Sequence, residues 1–174
     1  KVTWKDIGEV SEIEKFARSM DAEVIHLELN SQFRCNGSDG FIEWLEEARG
    51  IKEIESPYFS EKDYDFKIFD NPTELYERIR EKNVPANKSR MLAGYCWNWV
   101  SKSDPEKYDI EFPEFNFKAK WNLESRGSAW IIDEESIEDI GCIHTSQGLE
   151  LDYVGVIIGP DLQVIDGKLV TNPS

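Results

Sequence analysis

Two short stretches of this sequence put reactive or ligand-binding side chains beside backbone that a ligand can approach. The first is Leu29-Asn-Ser-Gln-Phe-Arg-Cys-Asn-Gly37, where Gln32 and Arg34 stand two residues apart. A guanidinium on a loop offers a planar fork of N–H donors that fits a phosphate or a carboxylate bidentately. Arg34 therefore suits either a phosphate ligand or one of the chain's own acidic side chains. The second is Gly141–Val154, where an apolar run ends in His144-Thr145-Ser146, turns through Gln147-Gly148 and resumes at Tyr153. Polar side chains and free backbone N–H groups at a strand's end suit an anion. Gly148 lets the backbone come close to a ligand or adopt positive φ. The same residues also fit a plain polar loop with a glycine turn and a histidine satisfied by the core.

Such residues act together only where secondary structure brings them to one edge, and in open α/β sheets ligands bind outside the carboxyl ends of the strands. Apolar residues at three- and four-residue spacing (Ile7, Val10, Ile13, Phe16, Ala17, Met20) predict a helix over 6–20. Alternation over Glu23–Leu29 predicts a strand. Ser38 and Asp39 can cap a second helix over 38–49, with Gly50 as its stop. Phe66–Phe69 reads as a short strand, and Asn71-Pro72-Thr73-Glu74 has the chemistry of a helix start. Arg90–Tyr95, Ile140–His144 and Tyr153–Ile158 read as buried strands, and residues 162–170 as a hairpin at the sheet edge, turning at Asp166-Gly167. Near-continuous apolar strands between amphipathic helices predict an α/β fold, a mostly parallel sheet with helices on both faces. Residues 97–130 break the pattern with Pro105, Pro113 and many aromatics, and read as an aromatic-rich insertion.

The chain has 174 residues and a formal net charge of −15. That length favours one domain with a real core. The acidity opposes binding nucleic acid by bulk charge, but leaves room for a narrow cleft with a few placed donors. Three scattered cysteines without a CxxC and only two histidines argue against a disulfide framework or a zinc site. Neither a leader nor an apolar run of spanning length is expected, and the expected setting is cytoplasmic, with no membrane partner. Trp97, Trp99, Trp121 and Trp130 fit core packing better than base-stacking platforms. The acidic run Asp133–Asp139 reads as a solvated loop.

Ile143-His-Thr-Ser-Gln-Gly-Leu-Glu-Leu-Asp-Tyr-Val154, continuing to Gly159, closely resembles motif V of superfamily 1 helicases, and Leu29–Cys35 resembles their motif IV. The order of the two and the strand-then-loop placement also fit. Gln-Phe-Arg-Cys-Asn-Gly, Met-Leu-Ala-Gly-Tyr-Cys-Trp and Ile-His-Thr-Ser-Gln-Gly-Leu-Glu together are most similar to the Schlafen-related bacterial group of DNA/RNA helicases. The resemblance implies a RecA-like P-loop NTPase fold, with residues 1–174 as a truncated second helicase domain carrying the insertion at about 97–130. It implies that Arg34 reaches the γ-phosphate of ATP as the catalytic arginine and that Gln32 supports that loop. Gly148 and Glu150 would then lie on the ATP side of motif V, and His144, Thr145 and Ser146 on the side of single-stranded DNA or RNA. ATP and Mg²⁺ would be held mainly by another, N-terminal RecA-like domain, since this chain has no G-x-x-x-x-G-K-[ST] loop. Departures are Cys142 where a threonine is usual and Leu151 where a phenylalanine is usual. The competing expectation is a RecA-like interaction module that has lost motor activity, which the acidic surface favours; a metal-dependent nuclease finds no paired-carboxylate spacing here.

Overall fold

The computed structural model describes residues 9–27, 34–51, 53, 64–84, 86–123, 125 and 127–172, without the side chains of Arg34, Asn36 and Ser128. Helix α1 (Val10–Ser19) leads into residues 22–27, which form no strand, and Leu27 is 90% exposed. Alternation makes a strand only where a neighbouring strand takes up the backbone hydrogen bonds. The expected strand over 23–29 is therefore corrected over its described part; residues 28 and 29 lie outside the described residues. Helix α2 (Asp39–Ala48) begins as expected: Ser38 Oγ accepts from the Phe41 N–H at 3.3 Å, and Gly50 follows the helix at φ +65°. The α2 rings of Phe41 and Trp44 pack on Tyr64 and Phe66, with the Phe41 and Tyr64 centroids 3.8 Å apart. Phe66–Phe69 is thus an irregular segment anchored by the Phe66 ring instead of the expected strand. Helix α3 (Pro72–Asn83) starts where its cap chemistry predicts, Asn71 Oδ1 accepting from the Thr73 N–H at 2.9 Å.

The remaining elements build a mixed five-stranded sheet: β1 (Ser89–Ala93), β2 (Ile110–Phe112), β3 (Phe117–Trp121), β4 (Asp139–Gly141), the single turn α4 (Ile143–Ser146) and β5 (Tyr153–Ile157). The spatial order is β2-β3-β4-β1-β5. β3, β4, β1 and β5 run parallel to their neighbours, and β2 pairs antiparallel with β3. The aromatic-rich stretch therefore supplies two strands at one edge of the sheet. The strand expected over 140–144 stops at Gly141, because the chain coils into α4 at Ile143. β6 (Leu162–Ile165) and β7 (Lys168–Thr171) form the expected hairpin through Asp166 (φ 51°) and Gly167 (φ 76°), but as a separate two-stranded sheet.

Register aligns Trp121, Ile140, Met91 and Gly155 across four strands, so these residues share one face. That face carries the core with Leu75 and Ile79 of α3. A Cβ on Gly155 would lie 2.9 Å from Ile79 Cγ1, so the missing side chain lets α3 come close. On the opposite face, Gly141 makes room for Trp130, whose ring would meet a Cβ there at 2.6 Å. Short 3₁₀ turns (Gly127–Ala129 and Glu134–Glu138) flank Trp130 and cover this face. The expectation of α-helices on both faces is corrected accordingly: among the described residues an α-helix covers one face and 3₁₀ turns the other. Val154 and Val156 stay exposed. Trp121 and Trp130 are buried and Trp97 and Trp99 pack against the core, as the core-packing reading expects. The acidic run is solvated in part, with Glu134, Glu135 and Glu138 exposed as expected, but its ends are built in: Asp133 caps a 3₁₀ turn and Asp139 is buried, and Glu138 accepts from the Tyr76 hydroxyl at 2.6 Å.

Arg90 fastens the two layers. Its guanidinium is fully buried and all five N–H donors are met. Nε donates to Ser136 Oγ at 2.9 Å, and Nη1 to Asn83 Oδ1 at 2.9 Å and the Ser89 carbonyl at 2.8 Å. Nη2 donates to Asn87 Oδ1 at 2.9 Å and the carbonyls of Ile131 at 3.0 Å and Asp133 at 3.2 Å. Burial pulls its pKa down and the nearby charge of Asp133 offsets part of that. Arg90→Ala strands these acceptors and opens a cavity; urea titration should show a loss of about 3–5 kcal/mol. Arg90→Lys should recover little, because an ammonium has three donors and no planar fork.

Candidate functional site

Because β3, β4, β1 and β5 are parallel, the residues that follow them line one edge: Asn122 after β3, Cys142 after β4, Gly94-Tyr95 after β1, and Ile158-Gly159 after β5. The loop 142–150 is tied into this edge by side chains. Thr145 Oγ1 accepts from the Cys142 N–H at 3.2 Å and donates to Asn122 Oδ1 at 2.9 Å. The Cys142 thiol donates to Asn122 Oδ1 at 3.2 Å, and the Tyr95 hydroxyl lies 3.5 Å from its sulfur. Burial pushes the Cys142 thiol up, but its contacts with the Thr145 and Tyr95 side chains and with the backbone of Thr145 and His144 outweigh it and leave the pKa below the ordinary thiol value. Tyr95 stands edge-on to both Trp121, at 4.6 Å between centroids, and His144, at 5.9 Å.

Of the expected nucleic-acid residues, His144 is exposed on this edge. The hydroxyls of Thr145 and Ser146 are both engaged within the loop or with its neighbour: Ser146 Oγ donates to the Cys142 carbonyl at 3.2 Å. Gly148 takes φ +82° and ends the turn, with the Leu149 N–H bonded to the Ser146 carbonyl at 3.1 Å. Glu150 follows it, exposed. So His144, Thr145, Ser146, Gly148 and Glu150 lie on one loop. Arg34 opens a separate 3₁₀ turn, Arg34–Gly37. Gln32 lies outside the described residues.

At the far end of the edge, a Cβ on Gly159 would collide with Cys96 Sγ and lie 3.2 Å from Asp161 Oδ1. Burial, then the hydrogen bond and charge of Asp161, push the Cys96 thiol up to about 11. Among the described residues no group of three or more His, Cys, Asp or Glu side chains could hold a metal ion. Sequence reasoning missed Asn122 and Tyr95 as members of this edge. Their signal is position alone, a polar residue just past a parallel strand, and it needs strand ends that the irregular 97–130 stretch conceals.

Thr145→Val keeps the shape of the side chain and removes both its hydrogen bonds. The Cys142 N–H loses its acceptor, so thermal or urea unfolding should show a loss of about 1–3 kcal/mol. Ser146→Ala, which removes only a bond back onto the local backbone, should cost less.

No solved structure matches the chain. The uncharacterized protein YPL245W of Saccharomyces cerevisiae is 30% identical over 145 residues, which cover 75% of this chain and 31% of that protein. The chain thus spans about a third of the length of the curated relative it matches. The family described as Schlafen group 3, DNA/RNA helicase domain, matches residues 1–173. With that match running through nearly the whole chain and a curled α/β sheet compatible with a nucleotide-binding fold, the chain belongs to the Schlafen group 3 DNA/RNA helicase domain family.

Proposed function

We propose that this chain is the second RecA-like domain of an ATP-dependent DNA/RNA helicase or translocase, and that the loop 142–150 is where it meets both ligands. The observation that carries the reading is the loop's place at the carboxyl ends of four parallel strands, in a member of a helicase-domain family. His144, exposed beside Tyr95, contacts the single strand. Thr145 and Ser146, whose hydroxyls bond within the protein, hold the loop's shape on the strand side. Gly148 and Glu150 face ATP. One loop serving both ligands lets nucleotide state bias the grip on the strand, since each ligand then favours one arrangement of the same backbone.

ATP, as substrate, is held mainly by another RecA-like unit, and Arg34, backed by Gln32, reaches its γ-phosphate. A guanidinium there stabilises charge that grows on the phosphoryl group during transfer more than charge already present in bound ATP. Mg²⁺ neutralises phosphate charge in such reactions and would be held mainly by that other unit. A second reading, an interaction module without motor activity, is favoured by the net charge of −15, which opposes the approach of a polyanion.

Arg34→Ala in the full-length protein tests the first reading. Steady-state kinetics should show kcat lowered by roughly 10³ or more, by analogy with arginine fingers, and KM for ATP changed far less. Arg34→Lys should rescue only in part. An unchanged kcat together with a lowered melting temperature would make Arg34 a structural ion-pair residue instead.

A further inference from the structure

Asn122 stands at the β3 end of the edge, beside Cys142, without an assigned role. It follows β3 directly and takes φ 52°, the left-handed region that asparagine tolerates better than most residues. Its backbone N–H still bonds the Ile140 carbonyl at 2.8 Å, so the turn is fixed at the last rung between β3 and β4. The side chain bends across to the end of β4, where its Oδ1 takes two donors, the Thr145 hydroxyl at 2.9 Å and the Cys142 thiol at 3.2 Å. Thr145 Oγ1 already accepts from the Cys142 N–H, so its own hydrogen goes to Asn122 and sets which end of the carboxamide faces inward. That leaves Nδ2, with two N–H donors and no hydrogen-bond partner among the described residues, on a half-buried side chain.

We propose that Asn122 is a nucleic-acid-binding residue, its Nδ2 donating to a phosphate or sugar oxygen of a single strand that lies across the 142–150 loop. This rests on the reading of that loop as the strand-binding side. The donor is preorganised: two hydrogen bonds hold the amide before any ligand arrives, so little further rotamer entropy is lost on binding. Asn122 supplies a donor at the place where the Thr145 hydroxyl is directed inward. Being neutral, it also adds a contact without the counterion release that lysine or arginine brings. Affinity should therefore depend on Asn122 while the salt dependence does not.

The test is fluorescence anisotropy of a labelled single-stranded oligonucleotide with the full-length protein, across a salt series. Asn122→Asp keeps an oxygen for Thr145 and Cys142 to donate to, but exchanges the unpartnered donor for a carboxylate oxygen. Asn122→Ala removes the donor without adding charge. Both should weaken binding, Ala by roughly tenfold or more and Asp further, with the melting temperature of Asn122→Asp close to wild type. The slope of log affinity against log salt should stay the same for Asn122→Ala. Binding unchanged in either variant overturns the assignment and leaves the loop's proposed role standing. So does a loss that merely tracks a fall in melting temperature, as Thr145→Val would show. A wild type that binds no single strand overturns both readings.

Discussion

A guanidinium with no access to water must find an acceptor for every N–H it carries, and Arg90 meets that demand with groups from four places in the chain. Asn83 comes from the end of α3, Asn87 from the turn before β1, Ser89 from β1 itself, and Ser136 with the carbonyls of Ile131 and Asp133 from the far side of the sheet. An unpaired buried donor costs more than a formed bond returns. The network therefore holds as a unit: moving α3 or the 131–136 segment would break several of its bonds at once. With α3 fixed against Met91 and Gly155, and Trp130 fixed over Gly141, β4 and β1 have no freedom to slide. Their carboxyl ends, and the loop that springs from β4, are set by the same packing.

That arrangement is the physical basis on which the proposed site for anionic ligands can exist in a strongly acidic chain. The edge presents neutral donors and an imidazole, with Tyr95, His144 and Asn122 gathered about the buried Cys142. Local geometry, not summed charge, does the recognition in such a place. Cys142 occupies a position where the helicase pattern has threonine, and its thiol substitutes in the sense that matters for shape: it bonds Asn122 and lies 3.2 Å from the Thr145 hydroxyl.

Elements whose signals are local were legible in the sequence. Asn71-Pro72 fixes the start of α3, Ser38 that of α2, and Asp166-Gly167 the hairpin turn, because each rests on bonds or torsions within a few residues. β1 and β5 were legible as apolar runs. Glu23–Leu27 and Phe66–Phe69 have the alternation of strands without becoming strands, since alternation says nothing about whether a partner strand is present. The early end of β4 was hidden by Ile143, an apolar residue that points to solvent in α4. The loop was singled out by its likeness to a helicase motif, and it does leave β4 at the carboxyl ends of the parallel strands. Asn122 was not, because its contacts with Cys142 and Thr145 join residues 20 and 23 positions apart.

On the proposed reading, the 142–150 loop works within a motor that couples ATP hydrolysis to a nucleic-acid strand. The most direct measurement is the ATPase rate of the full-length protein with and without single-stranded DNA and RNA, at matched salt. Hydrolysis should rise severalfold on adding one or both strands. Strand binding with no ATP hydrolysis under any condition would contradict it and leave the interaction-module reading in its place.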